Sequence, residues 1–190
     1  MAYGIVVVGA SAGGAHGLAA VLSGLPRDFP VPVVVVLHRG KDSTDTLLES
    51  LQRSSVLPVR EAMDKEPFVA GSACLAPPNY HLLVEKDNLA LSTEGRVRWA
   101  RPSIDVLFES AADTWAGRTI GVILTGANSD GARGLARIKR RGGLAVVQDP
   151  SEAHSRAMPD AAIAAAKVDW ILPLAEIARL LARLCRARTG

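Results

Sequence analysis

The chain has 190 residues, of which 48% are hydrophobic, 22% charged and 4% aromatic, and its formal net charge is +3. This length and composition are those of one soluble globular domain, residues 1–190, with a core of ordinary size. The low aromatic content argues against a stacking surface for single-stranded nucleic acid, and no apolar run reaches the roughly 18 residues that span a bilayer, so we expect neither nucleic-acid binding nor membrane insertion.

Strands and helices alternate along most of the chain. Short continuous apolar runs predict strands buried on both faces of a parallel sheet, at residues 4–9, 31–38, 119–126, 144–149 and 168–172. Helical patterns occupy residues 13–24, 43–54, 130–141 and 174–187. A further helix opens at Ile104, with Ser103 as its predicted cap, and Asp42 or Ser43 is the predicted cap of the second helix.

Residues 56–100 break this alternation. Short strand-like pieces there are separated by Pro-Pro, Asp-Asn and Glu-Gly, which indicates an antiparallel hairpin. The predicted fold class is therefore α/β: a doubly wound, mostly parallel sheet of about seven strands, with flanking helices and one inserted antiparallel hairpin.

Three predicted strands end on residues that can do chemistry. The first runs into Ser11, the second into His38, and the strand at 119–126 leads to Asp130. Ligands of such sheets bind beyond the carboxyl ends of the strands, so these residues are a candidate nucleophile, base and orienting carboxylate. Each also has a purely structural interpretation. In it, Ser11 lies in a phosphate-binding turn, His38 is a satisfied histidine at a strand end, and Asp130 caps a helix before Gly131.

The residues around the serine decide between two motif interpretations. Residues 9–13 read Gly-Ala-Ser-Ala-Gly and fit the spelling of a nucleophile elbow, although His38 precedes Asp130 and the chain order is not that of the common α/β-hydrolases. The nucleotide interpretation lacks G-x-G-x-x-G, a P-loop lysine and a ribose-binding acid after the second strand. A Ser-His-Asp site is recognised by its geometry, so the order does not exclude the chemistry.

Seven sequence blocks in a fixed order resemble a known family. They are GASAGG, VLHRG, LAPPNYHL, RPSIDVLFESAA, VILTGANSDGARGL, GGLAVVQDP and MPDAA, over about residues 4–172. The chain resembles the catalytic domain of the CheB chemotaxis methylesterases. That resemblance implies a doubly wound sheet, no metal or organic cofactor, and hydrolysis of glutamate γ-methyl esters on chemoreceptors, with deamidation of receptor glutamines as a second activity.

The resemblance also implies roles for individual residues. The family nucleophile, histidine and aspartate match Ser11, His38 and Asp130, and the backbone amides of Ala12 and Ala127 are the candidate donors to the oxyanion. The chain departs from the family pattern at Leu37 and Arg39 beside the histidine, at Ala127 and at Pro150. His81 and His154 are alternative bases.

Several points stay open at the level of the sequence. Met1 to Tyr3 alone precede the first strand, so we expect either a truncated protein or a stand-alone catalytic domain without the family's receiver domain. A methylated chemoreceptor or another signalling protein is the expected substrate, with a separate response regulator or methyltransferase as partner.

Cys74 and Cys185 lie far apart and fit a reducing cytoplasm. The alternatives are a catalytically silent signalling module of the same fold and a nucleotide-binding protein.

Overall fold

The computed structural model describes residues 3–38 and 44–186, and the elements below all lie in these ranges. The strands are β1 (Ile5–Ala10), β2 (Val33–Leu37), β3 (Val59–Glu61), β4 (Ala73–Leu75), β5 (His81–Val84), β6 (Leu89–Ser92), β7 (Thr119–Ile123), β8 (Leu144–Gln148) and β9 (Trp170–Leu172). The α-helices are α1 (Gly14–Ser23), α2 (Thr44–Ser54), α3 (Ile104–Trp115), α4 (Ala132–Arg140), α5 (Ala157–Ala165) and α6 (Leu174–Cys185). None of these helices is long and apolar enough to cross a bilayer.

Seven strands form one parallel sheet in the order β3-β4-β2-β1-β7-β8-β9. Strands β5 and β6 pair antiparallel in a separate two-stranded sheet. The predicted fold class is therefore confirmed, including the number of strands in the main sheet. After β1 the chain turns to β2 on one side and later returns to β7 on the other, so the strand order reverses at β1, where doubly wound sheets bind their ligands.

The middle of the chain differs from the prediction at residues 56–75. The expected hairpin is β5–β6 alone, whereas β3 and β4 extend the parallel sheet at its edge, with Arg60 opposite Cys74. Strands of three residues are too short to show a hydrophobic period, which is why the sequence did not reveal them. Helix α5 was also missed; Pro159 lies in its first turn, where a missing backbone N–H costs no helical hydrogen bond.

The core consists of two layers, one on each face of the sheet. Val6, Val8 and Ala10 of β1 pack with α1 and α6, while Ile5 and Val7 point the other way and pack with α3 and α4. Since side chains of a strand alternate between faces, one strand feeds both layers. This double burial explains why β1 reads as a continuous apolar run, and it holds the strand that leads to Ser11 rigidly at the centre of the molecule.

The N-terminus of α3 is capped by a residue that is distant in sequence. Ser103 precedes the helix, but its hydroxyl does not bond to the helix backbone and instead donates to Asp130 Oδ1 at 2.9 Å. The Asp130 carboxylate accepts hydrogen bonds from the backbone N–H of Ile104 at 2.7 Å and of Asp105 at 3.0 Å. Ser103 thus occupies the predicted N-cap position, but its side chain does not cap the helix; the buried Asp130 carboxylate accepts two charge-assisted bonds from the helix instead. The predicted caps of α2, Asp42 and Ser43, lie outside the described residues.

Helix α4 is capped in the same manner by α3. Asp105 Oδ1 accepts hydrogen bonds from the backbone N–H of Gly131 at 3.0 Å and of Gly134 at 2.8 Å. Each of the two helices therefore receives its cap from a carboxylate next to the other. We call this arrangement the reciprocal cap of α3 and α4; it fixes the position of Asp130 from two sides.

Candidate active site

The three strand-end residues predicted from the sequence meet at the carboxyl edge of the sheet, where the strand order reverses. Ser11 follows β1, and its backbone N–H donates to the Thr125 carbonyl at 2.9 Å. His38 follows β2, and its backbone N–H donates to the Ala10 carbonyl at 3.0 Å. These bonds continue the pairing of β1 with both neighbours, so the backbone positions of Ser11 and His38 are set by the sheet itself.

His38 and Asp130 form a direct pair. His38 Nε2 lies 2.8 Å from Asp130 Oδ2, and the Asp130 side chain is only 2% exposed. Burial by itself raises the pKa of Asp130, but hydrogen bonds from His38 and from the backbone of Asp105 and Ile104 outweigh it, and the pKa is lowered overall. Asp130 is therefore an acceptor-only carboxylate near neutral pH, and it orients the imidazole with Nε2–H toward itself.

The other ring nitrogen of His38 contacts Asn128, which the sequence analysis did not single out. Asn128 Nδ2 lies 3.3 Å from His38 Nδ1, and Asn128 Oδ1 accepts the Asp130 backbone N–H at 3.0 Å. Because Oδ1 is held by a donor, the amide must present its NH₂ group to the histidine. The spacing Asn-x-Asp is a signal for such an Asx turn, and it could have identified this residue.

Ser11 and His38 together line two cavities. One, of about 320 Å³, is bounded also by Asn128, Arg96 and residues 98–102; the other, of about 540 Å³, is bounded by the start of α1 and by Leu47. Among the described residues no hydrogen bond joins the Ser11 hydroxyl to His38. The histidine–aspartate pair is thus assembled, and the serine lies in the same cavities without the link; catalytic hydrogen bonds are often loose before substrate binds.

The backbone amides predicted to bind an oxyanion lie on either side of this serine. Ala12 follows Ser11 directly and precedes α1, whose N-terminus carries partial positive charge. Its carbonyl accepts the Thr125 hydroxyl at 2.9 Å. Neither the Ala12 nor the Ala127 N–H has an acceptor among the described residues. Both are therefore available as donors, and their role stays a prediction.

One glycine beside the serine is required by the backbone. Gly13 has φ +76°, in the left-handed region that L side chains rarely adopt. A Cβ atom there would lie 2.5 Å from His154 Cβ. Because His154 lies so close to the turn that follows Ser11, residue 13 has no room for a side chain.

The alternative histidines occupy different environments. His81 is 1% exposed; its Nε2 lies 3.0 Å from the Gly95 carbonyl, and its Nδ1 accepts the Ser103 N–H at 3.2 Å. Both of its ring nitrogens are thus used within the structure. His154 packs against Gly13 and does not line either cavity. Arg39, named above as a departure from the family pattern, lies outside the described residues.

Fold and site together define a class: a doubly wound α/β protein with a serine, a histidine and a buried aspartate at the carboxyl edge of the sheet, where the strand order reverses. The family model described as CheB methylesterase matches residues 6–181. The chain belongs to the CheB methylesterase family.

Curated relatives and a solved structure agree with this assignment. A putative protein-glutamate methylesterase/protein-glutamine glutaminase of Leptospira interrogans is 48% identical over 185 residues, covering 97% of this chain and 96% of the relative. A protein-glutamate methylesterase/protein-glutamine glutaminase of Anaeromyxobacter dehalogenans is 43% identical over 182 residues, which are 96% of this chain and 53% of the relative. The crystal structure of the Thermotoga maritima CheB methylesterase catalytic domain has a TM-score of 0.92 and 33% identity, covering 97% of this chain and all of that one.

These comparisons confirm the predicted family, and with it a carboxylic-ester hydrolase of the methylesterase type. They do not favour the two alternatives, a silent signalling module and a nucleotide-binding protein. The roles of Ser11, His38 and Asp130 are a separate matter and are proposed below.

Proposed function

We propose that Ser11 is the nucleophile of a protein-glutamate methylesterase that hydrolyses glutamate γ-methyl esters on a methylated chemoreceptor or a related signalling protein, and deamidates glutamine by the same route. The observation that carries the proposal is the 2.8 Å contact of His38 Nε2 with Asp130 Oδ2 at a cavity that Ser11 shares. The names of the curated relatives, which state both activities, support the reaction class.

The geometry assigns the proton transfers to particular atoms. Since His38 Nε2 faces Asp130, the nitrogen left to act as base is Nδ1. Nδ1 takes the Ser11 hydroxyl proton as Oγ attacks the ester carbonyl, and Asp130 stabilises the imidazolium that forms. The oxyanion is bound by the Ala12 and Ala127 amides.

The tetrahedral intermediate then collapses to release the leaving group. Methoxide takes the proton back from Nδ1 and leaves as methanol; with glutamine the leaving group is ammonia. Water, deprotonated by the same nitrogen, attacks the acyl-enzyme, and Ser11 is regenerated with a free glutamate carboxylate as product.

Methanol release from a methylated receptor tests this proposal. Ser11→Ala and His38→Gln are expected to lower kcat by at least about 10³-fold, because nucleophile and base act as one unit. Ser23→Ala is the matched control: the hydroxyl of this exposed serine at the end of α1 donates to the Ala20 carbonyl and, within the described ranges, has no contact with the site, so its loss is expected to leave the rate unchanged.

Covalent labelling gives an independent readout. A fluorophosphonate probe is expected to label Ser11, as mapped by mass spectrometry, and to label the His38→Gln variant far more slowly. Full activity of Ser11→Ala, or activity lost with His154→Gln but kept with His38→Gln, would show that the roles are assigned to the wrong residues.

We further propose that residues 1–190 act as one domain in the cytoplasm, with a separate response regulator or methyltransferase as partner. Support for one domain comes from the core, where Val8 of the first strand and Ile177 of the last helix belong to the same buried layer. The two buried free cysteines are compatible with a reducing compartment.

A further inference from the structure

The cavity beside Ser11 is bounded on one side by a short hairpin, residues 94–101, which we call the 94–101 hairpin. Val97 and Ala100 exchange backbone hydrogen bonds of 3.1 and 2.9 Å, so the turn between them has only two residues. Those residues, Arg98 and Trp99, have φ of 48° and 68°. Two consecutive non-glycine residues in the left-handed region are costly and uncommon, and such strain is found preferentially at functional sites.

The tip of this hairpin presents an unusual aromatic surface. Trp99 is 91% exposed, whereas the described large hydrophobic residues otherwise pack largely inside the two core layers. Tryptophan is among the residues most enriched at the energetic centres of interfaces, because one rigid ring covers a large area. An exposed Trp99 at the rim of the catalytic cavity therefore indicates a contact with a bound macromolecule.

The three arginines of the hairpin have no carboxylate partner among the described residues. Arg96 donates to the Trp99 carbonyl at 3.2 Å, Arg98 to the Ser129 hydroxyl at 2.7 Å, and Arg101 to the carbonyls of residues 93 and 94 at 2.7 and 3.0 Å. All these acceptors are neutral, and no carboxylate of the described residues lies within 4 Å of the three guanidinium groups.

Arginines elsewhere in the chain show the contrast. Arg133 pairs with Glu109, and Arg137 and Arg141 both pair with Asp113. Arg133, Arg137 and Arg141 are thus neutralised by carboxylates of α3, while the arginines of the 94–101 hairpin line the same cavity as Ser11 and His38. Positive charge that lies at a cavity without an internal partner attracts anionic groups of a ligand.

Building on the proposed function, we infer that the 94–101 hairpin is the docking surface for a partner segment that carries carboxylates beside the reacting ester. Arg96 and Arg98 bind acidic side chains flanking the ester, and Trp99 packs on the apolar part of the same segment. The Arg98–Ser129 hydrogen bond links the hairpin directly to the loop that bears Asn128 and Asp130.

Peptide binding to the Ser11→Ala variant tests the inference without turnover. Three labelled peptides of equal length carry one central glutamine, flanked by four glutamates, four glutamines or four lysines. Fluorescence anisotropy at low salt is expected to show about tenfold tighter binding of the acidic peptide than of the neutral one, as several weak ion pairs add. High salt is expected to remove most of this preference, because exposed charges are screened.

Variants then locate the surface. Arg96→Gln and Arg98→Gln are each expected to weaken binding of the acidic peptide about two- to fivefold and to leave the neutral peptide unchanged, whereas Arg98→Lys keeps most of the affinity. Trp99→Ala is expected to weaken both peptides. Arg140→Gln is the matched control, since this exposed arginine lies at the far end of α4 and lines neither active-site cavity.

The results separate this inference from the proposed function. Equal affinity for the three peptides, no measurable binding of any of them, or an equal loss with Arg140→Gln would overturn the docking surface even if the wild-type protein releases methanol. An acidic preference that depends on Arg96 and Arg98, with no methanol released by the wild type, would uphold the surface and overturn the esterase assignment.

Discussion

The Asn128 amide touches both members of the histidine–aspartate pair. Its oxygen accepts the Asp130 backbone N–H, and its nitrogen faces His38 Nδ1. An NH₂ group beside Nδ1 stabilises the tautomer in which Nδ1 is unprotonated and Nε2–H points to Asp130. Under the proposed mechanism we expect Asn128 to act as a positioning residue that keeps Nδ1 unprotonated, so that this nitrogen can accept the Ser11 proton.

Two substitutions of Asn128 test this role. Asn128→Ala removes one neutral hydrogen bond, worth about 0.5–1.5 kcal/mol, and is expected to lower kcat about 2- to 12-fold. Asn128→Asp retains an acceptor for the Asp130 N–H but places an acceptor instead of a donor against Nδ1, and a larger loss is expected. Nitrogen-15 NMR of the His38 ring measures the tautomer directly; unchanged ring shifts in Asn128→Asp would contradict the assignment.

At this scale, the sequence predicted the members of the site better than their surroundings. Ser11, His38 and Asp130 were found because each follows a buried parallel strand, and the carboxyl ends of such strands share one edge. Asn128 follows the same strand as Asp130 but lies within the loop after it, and the 94–101 hairpin follows no strand of the main sheet. Their contacts, such as Arg98 with Ser129, join residues 31 positions apart through loops, and no periodic pattern encodes that kind of contact.

At the scale of elements, the reciprocal cap joins α3 and α4 through the buried carboxylates of Asp130 and Asp105. Asp105 is fully buried, and its Oδ2 has no hydrogen-bond partner among the described residues. Burial, together with the nearby Asp130 charge, raises the pKa of Asp105 although the Gly134 N–H opposes the shift. Oδ1 accepts two backbone N–H groups, while Oδ2 lies 3.7 Å from Arg133 Nε. We expect the two Oδ1 hydrogen bonds to contribute more to the fold than the charge, because burial disfavours the ionised form.

Two variants of Asp105 separate those contributions. Asp105→Asn retains an oxygen for the Gly131 and Gly134 N–H groups, and the free energy of unfolding at pH 7 is expected to change by less than about 1 kcal/mol. Asp105→Ala leaves both N–H groups buried without acceptors and is expected to cost about 2–4 kcal/mol. Urea denaturation measures both. Equal losses in the two variants would mean that the charge, and not Oδ1, holds α4.

The elements missed by sequence analysis have a common physical cause. Strands β3 and β4 have three residues each, and α5 opens with a proline in its first turn. Long-range packing stabilises these elements, since β4 pairs with β2 and α5 packs on α4 and β8. Local pattern and propensity are weak guides for elements that form only because a sheet is already present.

For the molecule as a whole, the two buried aspartates predict opposite dependences of stability on pH. The lowered pKa of Asp130 means that its contribution is fully present above its ordinary value of 3.8 and is lost as the pH falls through the folded value. The raised pKa of Asp105 has the reverse effect. The contribution of Asp105 to stability is most favourable below its ordinary pKa of 3.8 and declines as the pH rises through its pKa in the folded protein.

Denaturation from pH 7 to pH 2 measures this difference. The stability lost in Asp130→Ala, relative to the wild type, is expected to shrink as the medium becomes acidic. The free energy of unfolding of Asp105→Asn, relative to the wild type, is expected to fall as the pH is lowered over that interval. Acid neutralises the wild-type Asp105 carboxyl, so the wild type no longer bears the cost of a buried charge that the variant avoids. Curves that stay parallel for the wild type and both variants would contradict the assignment of the two shifts.

Asp130 both contacts His38 and caps α3, so a substitution that changes one of these interactions also changes the other. The oxygens that orient His38 also cap α3, so a descendant of this protein that had lost its esterase activity would still need an acid there to fold. Finding aspartate at this place in a related gene is consequently poor evidence that the gene product is an enzyme. Among the described residues, neither the hydroxyl at residue 11 nor the imidazole at residue 38 caps a helix, so under the proposed mechanism their retention is the better sign of a working hydrolase.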